Sequence, residues 1–242
     1  MSLVLHMHPL SGFCHKVLIA LYESGTPFEA RTIDLFDTAQ HARHYEMWPM
    51  GKIPVLRDEK RNCTVPETSI IIEYLEQFYP GPQPLLPHDA TALLDARLWD
   101  RVFDLYVAIP MQKIVGDRLR ADGEKDPRGV TEARTVLGMA YGMIDRQLAT
   151  RRWAIGDTFT LPDCAAAPAL FYAGIVEPFP ASCPHLAAYF ERLLERPSVR
   201  RTLGEARPWF QYFPYREAMP ARFLQEDGVT VTGRESHGTK NA

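Results

Sequence analysis

The sequence has no marked excess of charge of either sign. Its 242 residues include 27 lysines and arginines against 30 aspartates and glutamates, a formal net charge of −3, and the isoelectric point is near 6.2. Nucleic-acid binding needs a basic surface that neutralises phosphates. The composition therefore disfavours nucleic acid and favours a small molecule or another protein as the partner.

Cysteine pairs and long apolar segments are also lacking. The four cysteines have neither the spacing of a disulfide scaffold nor a paired C-x-x-C pattern, so we expect a reducing cytoplasm and no metal site. Histidines interrupt the N-terminal apolar stretch and no basic segment precedes it, so no export signal is expected. The longest other apolar stretch, residues 165–176, contains Pro168 and is too short to cross a bilayer.

The spacing of apolar residues changes near residue 80. Residues 1–79 alternate between strand-like and helix-like spacing, which predicts an α/β first domain with the order βαβαββα. The predicted strands are residues 3–7, 27–35, 53–56 and 63–65. Helices are predicted from Phe13, over residues 37–46 and from residue 66 onward.

A proline-rich linker separates this region from an all-helical second domain. Four prolines and a glycine occupy residues 79–87, which leaves little room for regular structure. We predict a first domain at 1–79, a linker at 80–89, a helical domain at 90–227 and a disordered tail at 228–242. Helical spacing is found over residues 90–119, 131–148, 161–172 and 185–194.

Ser11-Gly12-Phe13-Cys14 stands at the start of the first predicted helix. Ser11 can cap this helix, and the backbone N–H groups of Phe13 and Cys14 then point out of its end, which favours an anion such as a thiolate. A serine that merely caps the helix is the simpler alternative, because capping serines are common.

Two further features follow in the first domain. Pro54, in the segment 51–55, opens a strand, and a cis bond there would leave the backbone of Ile53 free to pair with an extended peptide; a trans proline is the alternative. Glu67 opens a helix whose N-terminus suits a carboxylate, while its side chain suits an ammonium group. An acid that only complements the helix dipole is the alternative.

Together the three features suit the thiol, the central peptide and the amino-acid end of glutathione, and here the chain resembles the glutathione transferases. The matching segments are residues 11–17, 48–56 and 66–71, with a Thr-x-x-Asp capping box at 160–163 in the helical domain. The resemblance extends over about residues 1–205 and is to serine-type, bacterial-like members of the cytosolic family.

The resemblance implies a thioredoxin-like first domain, an all-helical second domain and a cytoplasmic homodimer with no membrane partner. It also implies glutathione as co-substrate and a small hydrophobic electrophile bound between the domains. Ser11 would hold the glutathione thiolate. The residues that would bind the rest of glutathione are Phe13, Lys52, Ile53, Pro54, Glu67 and Thr68. The residues that would line the electrophile pocket are Leu10, Tyr106 and Met111.

The sequence departs from the family pattern in two places. Thr68 stands where a serine is usual, and only Cys14 remains of the Cys-x-x-Cys that glutaredoxin relatives carry. Two alternatives therefore stay open: a non-catalytic ligand carrier or interaction module, and a glutathione-dependent thiol reductase that uses Cys14.

His8 and Ser11 suggest a hydrolase dyad, but no G-x-S-x-G elbow supports it. The aromatic segment 207–213 has no assigned role.

Overall fold

A computed structural model of the chain describes residues 2–34 and 37–225. Residue 35, the predicted end of the second strand, and the expected disordered tail at 228–242 lie outside these residues. The strands are β1 (Leu3–Met7), β2 (Glu29–Thr32), β3 (Val55–Asp58) and β4 (Cys63–Pro66). The helices of the first half are α1 (Gly12–Ser24), α2 (Thr38–Met47) and α3 (Thr68–Phe78).

The second half contains only helices among the described residues. They are α4 (Ala90–Val102), a π-helical segment (Phe103–Ala108), α5 (Ile109–Arg118), α6 (Pro127–Leu148), α7 (Leu161–Val176), α8 (Pro184–Glu195), α9 (Pro197–Ala206), a 3₁₀ segment (Arg207–Tyr212) and α10 (Ala221–Leu224), with two single 3₁₀ turns. None of these described helices is long and apolar enough to span a membrane.

The four strands form one mixed sheet in the order β2-β1-β3-β4. β1 and β2 are parallel, and the pairs β1–β3 and β3–β4 are antiparallel. The element order βαβαββα is confirmed, and the chain has a thioredoxin-like first domain followed by a helical domain.

The predicted second strand is present as β2, which is shorter than the predicted residues 27–35. All four residues of β2 are exposed. β2 is an edge strand that pairs only with β1, and edge strands tolerate polar side chains on both faces. Local alternation therefore identified the strand without revealing its position in the sheet.

α7 is the central helix of the second domain. Fifteen of its sixteen residues are buried, which is typical of a helix surrounded by others. The predicted capping box is present: Thr160 and Asp163 satisfy each other's backbone N–H groups, and Tyr189 also donates to Asp163 at 2.5 Å. The helix reaches Val176, beyond the predicted end at residue 172.

The predicted continuous helix over residues 90–119 is interrupted. Residues 103–108 form a π-helical segment between α4 and α5. Pro110 follows this segment and has no N–H to donate to the carbonyl one turn earlier, so the backbone departs from α-helical hydrogen bonding just before it.

α1 lies between the two domains and is buried on every side. Val17 and Leu18 belong to the core under the sheet, whereas Ile19 and Ala20 belong to the core of the helical domain. α1 packs against α7 and α9 in that domain. A polar side chain in the middle of α1 therefore has to find its partners inside the protein.

Lys16 is that polar side chain, and only 1% of it is exposed. Its Nζ lies 2.5 Å from Asp100 and 2.8 Å from Asp104, both in the helical domain. Ser69 of α3 also accepts a hydrogen bond from Lys16, at 3.1 Å, and donates to Asp100 at 2.6 Å. Arg101 completes this interdomain charge cluster by contacting Ser69, Asp100 and Asp104.

The linker is held against both domains. A Cβ at Gly81 would lie 2.5 Å from the Cα of Ser24, so only glycine fits at this approach to α1. Further along, the backbone N–H of Leu85 donates to Glu76 at 2.8 Å, and its carbonyl accepts from Leu161 at 2.8 Å.

We predict that Lys16→Met lowers the free energy of unfolding by about 3–5 kcal/mol, because it preserves the shape of the side chain but removes the buried cation between Asp100 and Asp104 and leaves only the half-exposed Arg101 to compensate two carboxylates. Urea unfolding measures the change. Lys113→Met is the matched control: Lys113 is 44% exposed and lies 3.6 Å from Asp126, so its loss costs at most about 1 kcal/mol. Equal effects of the two substitutions would contradict a stabilising role for the interdomain charge cluster.

Candidate functional site

The register of three strands brings the predicted motifs to one edge of the sheet. His6 at the end of β1 pairs with Val55, and Val55 also pairs with Pro66. The loop that contains Ser11 leaves this edge, the segment that contains Ile53 enters it, and the segment that contains Glu67 leaves it. The three motifs therefore start from adjacent positions in space.

Ser11 caps α1. Its backbone is extended, with φ −79° and ψ 116°, and its Oγ accepts from the backbone N–H of Cys14 at 3.4 Å. The predicted capping role is therefore confirmed. A hydroxyl that accepts a hydrogen bond still has its proton to donate, and the N–H groups of Gly12 and Phe13 lie in the first turn, where no carbonyl of the same helix reaches them. This end of α1 suits an anion.

Cys14 lies beneath this end and is fully buried. Burial raises the pKa of the Cys14 thiol to about 12, although hydrogen bonds from Ser11 and the backbone of His8 act in the opposite direction. The backbone N–H of His8 donates to Sγ at 3.5 Å. Cys14 is therefore a protonated thiol at neutral pH and a poor nucleophile.

The peptide bond between Ile53 and Pro54 is cis, one of the two alternatives that the motif left open. Ile53 precedes β3 and lies beyond the last pair between β1 and β3. The carbonyl of Lys52 is hydrogen-bonded to Nε2 of the buried His44 in α2, at 2.9 Å. α2 thus fixes the segment before Pro54, a role for His44 that the sequence analysis missed. The Lys52 side chain is exposed.

Glu67 has a positive φ of 67°, with ψ 120°, at the N-cap of α3. This region is sparsely populated by residues with a Cβ, and such conformations cost about 1–3 kcal/mol and tend to occur at functional sites. The Glu67 side chain is exposed, whereas Thr68 is buried in the first turn. The Glu67 carboxylate is therefore accessible at the N-terminus of α3, which follows β4 directly.

The interdomain charge cluster contacts the first turn of α3 through Ser69. Ser69 stands two residues after Glu67, and Arg101 donates to its Oγ at 2.6 Å. Arg101 is about half exposed. Burial acts to lower the pKa of its guanidinium, but the carboxylates of Asp104 and Asp100 raise it, with a smaller contribution from Glu67. Sequence reasoning missed Arg101. Its only signal was a group of charges, Asp100, Arg101 and Asp104, on an otherwise amphipathic helix.

The predicted electrophile-pocket residues have different environments. Leu10 and Phe13 are partly buried and pack against the core of the helical domain. Met111 is buried within that core, and Tyr106 is 50% exposed. A contact that was not predicted lies in the loop before Ser11: the ring of Trp209, in the 3₁₀ segment, meets the ring of His8 edge to face, with centroids 5.1 Å apart.

Comparisons with known proteins agree with this architecture. The family model described as "Glutathione S-transferase, N-terminal domain" matches residues 5–83, and the model described as "Glutathione S-transferase, C-terminal domain" matches residues 102–197. Glutathione S-transferase U25 of Arabidopsis thaliana is 30% identical over 210 residues, which cover 84% of this chain and 90% of the relative. FtsZ-localized protein A of Caulobacter vibrioides is 30% identical over 212 residues, 84% of this chain and 92% of the relative.

A solved structure shows the same fold. The crystal structure of a glutathione S-transferase of Methylobacterium radiotolerans, in complex with glutathione sulfonate, matches with a TM-score of 0.72 and 32% identity. The match covers 83% of this chain and 93% of that one.

The conformation of Glu67 leads to a stability prediction. Glu67→Gly removes the Cβ that makes the positive φ unfavourable, so we expect it to unfold with a free energy about 1 kcal/mol higher than Glu67→Ala, which keeps the Cβ. Both variants lack the carboxylate, so their difference in urea unfolding isolates the backbone effect. A glycine variant no more stable than the alanine variant would contradict the strain assigned to this residue.

Proposed function

This chain belongs to the glutathione S-transferase family, and from that membership we propose that it binds reduced glutathione as the thiolate and adds it to an electrophilic small molecule. The observation that carries the proposal is the meeting of three binding features at one sheet edge: the capped end of α1, the cis bond before Pro54 and the exposed carboxylate of Glu67. Each suits a different part of glutathione.

In this proposal Ser11 stabilises the thiolate. Its hydroxyl donates a hydrogen bond to the sulfur, and the positive end of the α1 dipole, with the N–H of Phe13, favours the negative charge. In the similar structure from Methylobacterium radiotolerans, the sulfonate of the bound ligand is an oxidised, anionic stand-in for this sulfur. The thiolate then attacks the electrophile as a nucleophile held in place.

The remaining predicted residues would hold the rest of the tripeptide. The backbone of Ile53, before Pro54, would pair with the cysteinyl residue of glutathione as an added strand. Glu67 would bind the ammonium group of the γ-glutamyl end, and the N-terminus of α3 at Thr68 would bind its carboxylate. Lys52, which is exposed, would lie near the glycyl carboxylate.

The alternative through Cys14 is less well supported. A thiol reductase needs an accessible thiolate, whereas Cys14 is buried and its pKa is about 12. The four described cysteines are free, which suits the reducing cytoplasm in which we place the reaction.

Leu10 is the electrophile-pocket residue with the best geometric support, because it lies next to Ser11 and packs against the helical domain. Met111 and Tyr106 stay candidates.

We expect Ser11→Ala to lower kcat/KM for conjugation about 100-fold, because a single preorganised donor to a developing or bound anion has an effect of this size. Calorimetric titration with reduced glutathione and ultraviolet difference spectra measure binding and the thiolate band. In Ser11→Ala the band at neutral pH should fall while glutathione still binds.

Cys14→Ser is the control for this experiment and should keep the thiolate band. Loss of activity in Cys14→Ser together with full activity in Ser11→Ala would favour the reductase instead. A wild-type protein that does not bind glutathione at millimolar concentration would contradict the enzyme function and favour an interaction module.

The proposal includes a homodimer. Four large apolar side chains are exposed on α3, α4 and the π-helical segment after α4, and the ion pair of Arg97 with Glu73 at 2.7 Å joins α3 to α4. These residues are Ile70, Leu94, Leu98 and Leu105. An exposed apolar face is typical of a protein interface, and we propose that these side chains form such a face, which a second copy of the chain would present in the same composition.

Leu98→Glu is expected to convert the dimer to a monomer, because it places a charge at the centre of this face. Light scattering coupled to size-exclusion chromatography gives the mass directly. Leu119→Glu is the matched control, since Leu119 is equally apolar and 70% exposed but lies at the end of α5. A wild-type chain that is monomeric at tens of micromolar would contradict the homodimer.

A further inference from the structure

His8 is a half-buried side chain for which the proposed function has no role. The backbone N–H of Ser11 donates to the carbonyl of His8 at 3.0 Å, so residues 8–11 form a β-turn. The ends of such a turn lie within about 7 Å of each other. The imidazole therefore belongs to the same loop as the serine that would hold the thiolate.

A hydrogen bond fixes the tautomer of this ring. The backbone N–H of Leu10 donates to Nδ1 of His8 at 3.2 Å. Because Nδ1 accepts, it carries no proton, and the proton of the neutral ring is on Nε2. Burial lowers the pKa of His8 below its usual value, while the Asp34 carboxylate acts in the opposite direction. At neutral pH His8 thus presents a neutral N–H donor at Nε2.

The ring is also held from the helical domain. Trp209 packs edge to face against it at an interplanar angle of 71°, and the 3₁₀ segment that carries Trp209 extends to Tyr212, which is 66% exposed. His8 therefore lies where the loop after β1 meets the second domain. Because residues 8–11 form one turn, a thiolate held at Ser11 lies beside the loop that carries this ring.

Building on the proposed function, we propose that His8 donates a hydrogen bond from Nε2 to the electrophile, at an oxygen that becomes negatively charged as the glutathione thiolate attacks. The protein would accordingly prefer electrophiles that carry such an oxygen, namely nitroaryl halides and α,β-unsaturated carbonyl compounds. Trp209 would be a positioning residue that limits rotation of the His8 ring and adds an apolar surface for a planar substrate.

The electron balance of this step is simple. The sulfur of the thiolate supplies the pair that forms the C–S bond, and a π pair of the substrate moves onto the oxygen. With a nitroaryl chloride, the pair returns and chloride leaves with the electrons of the C–Cl bond. With an unsaturated carbonyl compound, the enolate takes a proton from water. His8 keeps its own proton throughout and lowers the barrier only by stabilising the charge on oxygen.

Two substitutions separate this role from a purely structural one. His8→Asn places an oxygen where Nδ1 was, so it can still accept from Leu10, but it has no donor at the position of Nε2. His8→Gln places its amide near the position of Nε2 and cannot accept from Leu10 in the same way. A structural role in the turn predicts that His8→Gln is the worse variant, whereas our proposal predicts that His8→Asn is.

The experiment compares kcat/KM for 1-chloro-2,4-dinitrobenzene and benzyl chloride, which has no oxygen. In His8→Asn we expect the ratio of the two values to fall roughly 10- to 100-fold, the range found when one anion-stabilising donor is removed. His8→Gln should retain more of the ratio. The ultraviolet thiolate band should be equal in wild type and both variants, because Ser11 is unchanged.

Three results would overturn the inference: an unchanged ratio in His8→Asn, an equal loss with both substrates, or a greater loss of the ratio in His8→Gln. Each would leave the proposed function intact, since wild-type conjugation and the thiolate band are measured in the same experiment. A wild type without a thiolate band and without activity on either substrate would overturn the proposed function and this inference together.

Discussion

The ion pairs of Lys16 inside the protein are the interaction on which the arrangement of the two domains depends. α1 is enclosed on all sides, so the ammonium group has no route to water and must be neutralised by Asp100 and Asp104 of the other domain. A small displacement of α1 along the helical domain could preserve its apolar contacts. The same displacement would separate Lys16 from its carboxylate partners and leave buried charges unpaired, which is far more costly. Charge compensation thus fixes the register between the domains.

The same cluster connects domain packing with the candidate site. Ser69 belongs to both, because it bonds to Lys16, Asp100 and Arg101 and stands in the first turn of α3, directly after Glu67 and Thr68. Strong, charge-assisted hydrogen bonds to Ser69 therefore fix the helical turn that follows Glu67 and its unfavourable backbone conformation. The register of the strands brings the three motifs of the candidate site together, because His6, Val55 and Pro66 are neighbours in the sheet.

Features that depend on a few consecutive residues could be predicted from the sequence. The helix cap at Ser11, the cis bond before Pro54 and the capping box at Thr160 are of this kind. Contacts between distant parts of the chain leave no local pattern in the sequence. The packing of Trp209 on His8 and the hydrogen bond of Arg101 to Ser69 therefore appear only in the folded structure. The position of β2 at the edge of the sheet also had no local signal, because strand order is a property of the whole sheet.

The contact of Gly81 with Ser24 bears on how a substrate reaches the site. The linker is fastened at Gly81 to α1 and at Leu85 to both domains, so it does not serve as a hinge. The charge cluster also holds the interface between the two domains. Access of ligands to the loop around Ser11 then depends on local motion of the segments that contact this loop, and the 3₁₀ segment with Trp209 and the exposed Tyr212 is the one that packs on His8.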